Sequence, residues 1–175
     1  MDSKITIGIS ACLFGQNTRY DGGNRHEPLL IAALSQIVTL VPLCPEAECG
    51  LGIPREPMRL EGNPKNPRLM TITTRCDLSE RLQIWSALQM DVLARKGVSG
   101  LILKARSPSC GRQVAVHGIG EGETPHSPGL FARAWQERFP DLPIADEEEL
   151  RDPGRLENFL KHLTEEKPNR QEKQR

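Results

Sequence analysis

The chain has 175 residues, with 23 Lys and Arg balanced by 23 Asp and Glu, and is 37% hydrophobic. That length and composition suit one soluble globular domain, and the zero formal charge excludes a general electrostatic hold on nucleic acid. No apolar run approaches the ~18 residues of a membrane span, and residues 1–10 lack the pattern of a signal peptide, so a cytoplasmic location is expected.

Ile5, Ile7 and Ile9 alternate within KITIGIS and predict a first strand. Residues 10–23 turn polar and glycine-containing, which predicts a loop. Pro28 opens a short helix over 29–36. The β-branched run VTLVPL at 38–43 predicts a second, buried strand. Residues 44–66 carry Pro45, Pro54, Pro57 and Pro64 and read as a long irregular loop wrapped around a site. Asp77 and Glu80 match a capping box, and Leu78, Leu82, Trp85, Leu88 and Val92 recur at helical spacing until Gly97 stops the helix. GLILK at 100–104 predicts a third strand, 105–111 a loop, and 113–129 an exposed glycine-rich stretch. A helix over 130–139 is expected to bury Phe131, Ala134, Trp135 and Phe139, and a short strand follows at 142–145. Glu147, Glu148 and Glu149 read as a solvated face or a helix start. The last helix is capped by Asp152, has Pro153 in its first turn and buries Leu156, Phe159, Leu160 and Leu163. Residues 1–163 are thus expected to form one domain, with 164–175 an unstructured tail.

Strands separated by helices imply an α/β fold with a mostly parallel sheet covered on both faces. Ligands of such sheets bind outside the carboxyl ends of the strands. Cys12, Cys44 and Cys110 follow the first, second and third strands, so the topology brings distant cysteines to one edge. The cysteine count is odd, which excludes a complete disulfide framework, and a reducing compartment favours metal binding or catalysis. No CxxC pair is present, and a buried small hydrophobe is the competing reading for any one cysteine. Cys12 in CLFG and Cys110 in SCG lie in polar loops beside glycine, where that reading is weaker. Three thiolates would leave a metal centre open, whereas four would close it. Arg19, Arg25, Arg55, Lys104, Arg106 and Arg112 lie in or beside these loops and can offset negative charge there, although each alone suits a surface. Cys76 reads as structural, and Cys49 as a fourth ligand, a spare thiol or a buried residue. His26, His117, His126 and His162 form no ligand-like pair and read as surface residues.

Three segments resemble the signature blocks of a known family: ISACLFGQNTRYDGG at 9–23, VPLCPE with GLGIPRE at 41–56, and LKARSPSCG at 103–111. The family is that of the TudS-type thiouracil desulfidases, and the resemblance covers residues 4–150. It implies a Rossmann-like α/β fold with helices on both faces. It also implies a [4Fe–4S] cluster held by Cys12, Cys44 and Cys110, with one iron open to the sulfur of a thiocarbonyl substrate. The implied activity converts C=S to C=O with release of hydrosulfide and no net redox change. Glu46 would be the catalytic acid and base. Ser107 matches the catalytic serine better than Ser109, and Tyr20, Asp21 and Ser109 are the expected substrate-binding residues. Asp21 in Asp-Gly-Gly also suits a turn. Cys49 is not a recognised feature of the family, and its entry into the cluster would remove the open iron. Two rivals predict different behaviour. A cysteine-nucleophile sulfurtransferase needs one activated thiolate. A non-enzymatic zinc or iron–sulfur module needs four ligands, Cys49 among them. The expected partner is a small thiolated base or nucleoside, and thiouridine within tRNA presents the same C=S group.

Overall fold

A computed structural model describes residues 4–165. Its elements run in the order β1 (Ile5–Ser10), α1 (Pro28–Ser35), β2 (Val38–Leu43), β3 (Met58–Glu61), β4 (Arg68–Thr71), α2 (Ser79–Arg95), β5 (Val98–Leu103), β6 (Val114–His117), β7 (His126–Ser127), α3 (Leu130–Arg138), β8 (Ile144–Asp146), α4 (Glu147–Leu150) and α5 (Pro153–Glu165). The first sheet has the order β2-β1-β5-β8 and is parallel throughout.

Side chains alternate across a strand, and the core follows that period. Ile7 and Ile9 of β1 and Ile102 of β5 join Leu34 of α1 and Phe159 and Leu163 of α5 on one face. Leu101 and Leu103 turn to the other face and meet Met90 and Leu93 of α2 and Phe131 and Trp135 of α3. The sheet is therefore buried on both sides, as its continuous apolar runs require. The polar outer positions leave no helix among the described residues long and apolar enough to cross a membrane.

A second sheet, of order β4-β3-β6-β7, lies in the segments expected to be irregular or exposed. Its outer pairs are antiparallel and its central pair, β3 with β6, is parallel. The strands are two to four residues long and flanked by Pro and Gly, so no local period announces them. What stabilises them is non-local. Leu60, Leu69, Val114 and Val116 bury against Leu82 of α2 and Leu130 of α3.

This second sheet also explains two corrections in α2. The helix begins at Ser79 with Leu78 as cap and no side-chain cap bond, so there is no capping box. Asp77 instead accepts a bond from the Ser79 N–H at 3.0 Å. The buried stripe is Leu82, Ser86, Met90 and Leu93, and Leu88 is 65% exposed. The helix is rotated to serve two sheets, which a single-stripe reading does not anticipate. The expected Gly97 stop is present, with φ +68°. In α5 the Asp152 carboxylate accepts from the Arg155 N–H at 3.0 Å, as a cap does. That helix includes Thr164 and Glu165, so the expected tail does not start at 164. The rest of the expected tail lies outside the described residues.

From β1 the chain proceeds to β2 on one side and returns to β5 on the other. The loops leaving the carboxyl ends of β1 and β5 diverge there, which opens a crevice at this switch point.

Candidate active site

The crevice is a cavity of about 600 Å³, and Cys12, Cys44 and Cys110 all line it. Each thiol is positioned by its own loop. Cys12 lies two residues past β1, and its carbonyl accepts the Arg25 N–H at 2.9 Å, folding the polar loop back over it. Cys44 directly follows β2, and its thiol donates to the Thr18 carbonyl at 3.7 Å. Cys110 is held from two sides. Its N–H donates to the Ser107 hydroxyl at 3.2 Å. The amides opening α3, which have no partner within the helix, instead bond the loop carbonyls: Leu130 to Pro108 at 3.2 Å and Phe131 to Ser109 at 2.9 Å. Gly129 allows this approach, since a Cβ there would lie 2.5 Å from the Ser109 carbonyl carbon.

Burial pushes the Cys12 thiol up to about 11, with the neighbouring Cys44 adding to the rise and Lys104 and Arg19 opposing it. Burial also raises Cys110 strongly, followed by Cys44 and Glu46. The thiols thus sense one another across the cavity. Among the described residues no group of three His, Cys, Asp or Glu side chains is arranged to hold a metal ion, and the three thiols all line the one cavity. Three soft donors spaced around a cavity, with Arg19, Arg25, Lys104 and Arg106 on its walls, fit an anionic iron–sulfur cluster.

Cys49 lies elsewhere. It packs against the Leu60 and Leu82 cluster, donates to the Glu46 carbonyl at 3.3 Å, and is not among the cavity-lining residues. Cys76 is exposed.

Glu46 also lines the cavity, with only 7% of its surface exposed. A buried carboxylate needs partners, and it has two hydrogen bonds and an ion pair. Arg55 Nε donates to Oε2 at 2.9 Å, and Arg55 Nη2 makes an ion-pair contact with the same oxygen at 2.8 Å. The Ser109 hydroxyl donates to Oε1 at 2.7 Å. A second possible Ser109 acceptor, the Cys110 sulfur, is 3.7 Å away, so the carboxylate wins the proton. Ser107 Oγ lies 3.0 Å from Ser109 Oγ. A hydroxyl carries one proton, and Ser109 has spent its own on Glu46. Ser107 must therefore donate to Ser109, which orders the chain Ser107, Ser109, Glu46.

The expected site residues are thus mostly brought together, with changed partners. Ser109, not Ser107, touches Glu46. Tyr20 lines the cavity at 41% exposure. Asp21 does not line it. Its carboxylate closes the turn by accepting the Gly23 N–H at 3.0 Å, and that bond, with Arg19 nearby, holds it below the usual carboxylate range.

Two further features were not legible beforehand. Arg55 is 7% exposed at its side chain and bridges Glu46, the Thr18 carbonyl (2.9 Å) and the Gly52 carbonyl (3.0 Å). Glu147 is only 2% exposed and opens α4, so of the two expected readings, a solvated face or a helix start, the structure has the helix start. It accepts from the Lys104 ammonium and from the Ala105 N–H. Glu148 pairs with Arg106 and Glu149 with Arg112. Because β8 lies beside β5, the start of α4 meets the Cys110 loop at the same sheet edge. The alternation of basic residues across 104–112 was the one available signal, and it is too common on surfaces to identify partners.

The model of the 2-thiouracil desulfurase family matches residues 7–147. A solved structure of a [4Fe–4S]-dependent thiouracil desulfidase, TudS, is similar with a TM-score of 0.68 and 26% identity, over 85% of this chain and 94% of that one. No curated protein matches the chain. Since the matched residues take in all three cavity thiols, Glu46 and both serines, the chain belongs to the 2-thiouracil desulfurase family.

Proposed function

We propose that this chain is an iron–sulfur-dependent thiouracil desulfidase, with Cys12, Cys44 and Cys110 as the three protein ligands of a [4Fe–4S] cluster and one iron left open. The observation that carries this reading is the single cavity lined by three thiols and one buried, hydrogen-bonded carboxylate. The displaced position of Cys49 supports three ligands rather than four. The activity for which the family is named and the [4Fe–4S] dependence of the TudS structure support the substrate class and the cofactor. The described residues 4–165 are read as one catalytic domain.

The bound cluster supplies Lewis acidity toward a thiocarbonyl sulfur. The remaining chemistry falls to the chain. Water adds to the C=S carbon and hydrosulfide leaves, giving C=O, HS⁻ and H⁺ with no electron transferred. Glu46 takes one proton from the attacking water and returns it to the departing sulfur, which leaves as HS⁻, while the second water proton leaves as C=O forms; base help of this kind contributes ~10²–10⁴-fold. Ser109 fixes the orientation of Oε1. Ser107, next in the hydroxyl chain and on the cavity wall, has its proton on Ser109 and so accepts a hydrogen bond from the substrate. Tyr20 covers the mouth as a substrate contact. A cavity of about 600 Å³ accepts a thiolated pyrimidine or its nucleoside beside a cluster.

The test is anaerobic purification with iron and sulfide analysis, then sulfide release from 2-thiouracil and 4-thiouracil. About four irons per chain and release of sulfide are expected. Stoichiometric zinc would sink the cluster. Glu46→Ala should keep its iron and lose turnover, and retained turnover removes Glu46 from the chemistry.

A further inference from the structure

We infer that Arg55 is a positioning residue for this reaction, acting through Glu46, an inference that rests on the reading of Glu46 as the proton carrier. Its guanidinium sets two nitrogens against one carboxylate oxygen, Oε2: Nε donates to it at 2.9 Å, and Nη2 lies 2.8 Å away as the ion-pair contact. Oε1 then carries only the Ser109 hydroxyl, and one lone-pair direction remains for water. The fork therefore decides which oxygen does the chemistry.

The same guanidinium fixes where that oxygen sits. Nη2 also donates to the Thr18 carbonyl at 2.9 Å, Nη1 donates to the Gly52 carbonyl at 3.0 Å, and the Arg55 N–H donates to the Tyr20 carbonyl at 2.8 Å. Thr18 and Tyr20 belong to the loop that carries Cys12, and Thr18 accepts the Cys44 thiol as well. Arg55 thus joins the carboxylate to two of the three thiol-bearing loops. The planar guanidinium meets the Glu46, Thr18 and Gly52 oxygens together, and a lysine ammonium cannot; the Tyr20 bond comes from the backbone N–H and is kept in either case. Loss of the fork frees Glu46 to rotate, and a ~1 Å misplacement of a reacting group costs ~10²-fold in rate.

The test compares Arg55→Lys, Arg55→Ala, Glu46→Gln and the Glu46→Gln/Arg55→Lys double variant in the full chain, each reconstituted anaerobically. The readouts are iron content, kcat and KM for 4-thiouracil. Arg55→Lys should keep its iron and KM and lose ~10²-fold in kcat. Added guanidinium should restore part of the kcat of Arg55→Ala. In the double variant the lysine should add nothing to the loss caused by Glu46→Gln, because the arginine acts through that carboxylate. Wild-type kcat in Arg55→Lys overturns the inference, as does a raised KM at unchanged kcat, or additive losses in the double variant. Should Arg55→Ala not fold, the lysine variant and the double variant decide alone. If Glu46→Gln keeps wild-type turnover, the reading of Glu46 itself fails. If Glu46→Gln is inactive while Arg55→Lys is fully active, only the positioning role fails.

Discussion

A single methyl group at Gly129 tests how the third thiol is held. In Gly129→Ala the new Cβ would lie 2.5 Å from the Ser109 carbonyl carbon, 2.6 Å from its oxygen and 2.9 Å from the Cys110 nitrogen. All three are backbone atoms, so no side chain can swing aside. Reaching ordinary contact at 3.4 Å requires the helix and the cysteine loop to separate by about 0.9 Å. That gap stretches the Gly129 to Gly111 bond of 2.7 Å and the Phe131 to Ser109 bond of 2.9 Å together. Overpacking of this kind costs ~1–3 kcal/mol. At ~2–4 °C per kcal/mol for a chain of this size, the expected fall in Tm is roughly 2–12 °C. The functional loss should exceed the stability loss, because Ser109 and Cys110 both move and a ~1 Å shift at a reacting centre costs ~10²-fold. Calorimetry, iron analysis and sulfide release measure the three effects. A Gly129→Ala protein with unchanged Tm, full iron and wild-type turnover would refute the claim that α3 sets the position of Cys110.

Three further outcomes follow from the pairs described above. Glu147→Leu strands the Lys104 ammonium against the cavity and should cost ~3 kcal/mol by denaturant titration, whereas Glu147→Leu with Lys104→Met should recover most of it; equal losses in the two would remove the pair from the argument. Arg75, and then Arg59, hold the Glu61 carboxyl down at about 2, from an ordinary 4.5. The group contributes stability above pH 4.5 that is lost as pH falls toward 2, so Glu61→Gln should be less stable at pH 7 and show a flatter acid limb, which Tm measured across pH 2–7 would detect. In the cluster-free protein, alkylation followed by mass spectrometry should label exposed Cys76 first and Cys110, only 5% exposed, last; early labelling of Cys110 would contradict its burial.

The period of the sequence carried much of the architecture. Ile5, Ile7 and Ile9 state a strand by their period of two, and the run at 38–43 and GLILK state theirs as near-continuous apolar segments of a sheet covered on both faces. Three cysteines just beyond three such strands were enough to place a site at one sheet edge, and the signature blocks supplied its chemistry. The strands of the second sheet were not legible, since two to four residues carry no period and their partners are far away in the chain. The same missing sheet misphased α2 and left Leu88 assigned to a core that it does not enter.

Partnership was the other quantity that local pattern could not contain. The burial of Arg55 and Glu147 was not legible because nothing within several residues of either would bury it. Each becomes buried only when loops 46–55 and 104–112 and the start of α4 meet at the crevice. Proximity in space likewise set Ser109 rather than Ser107 against Glu46, since the backbone at Ser109 is bonded by the first amides of α3, far along the chain. The sequence by itself therefore determined which residue types gather at the edge of the parallel sheet and which family they serve. Only the tertiary structure decided which of them touch, because hydrogen bonds and ion pairs act over about 3 Å and the chain segments that make them are brought together by packing.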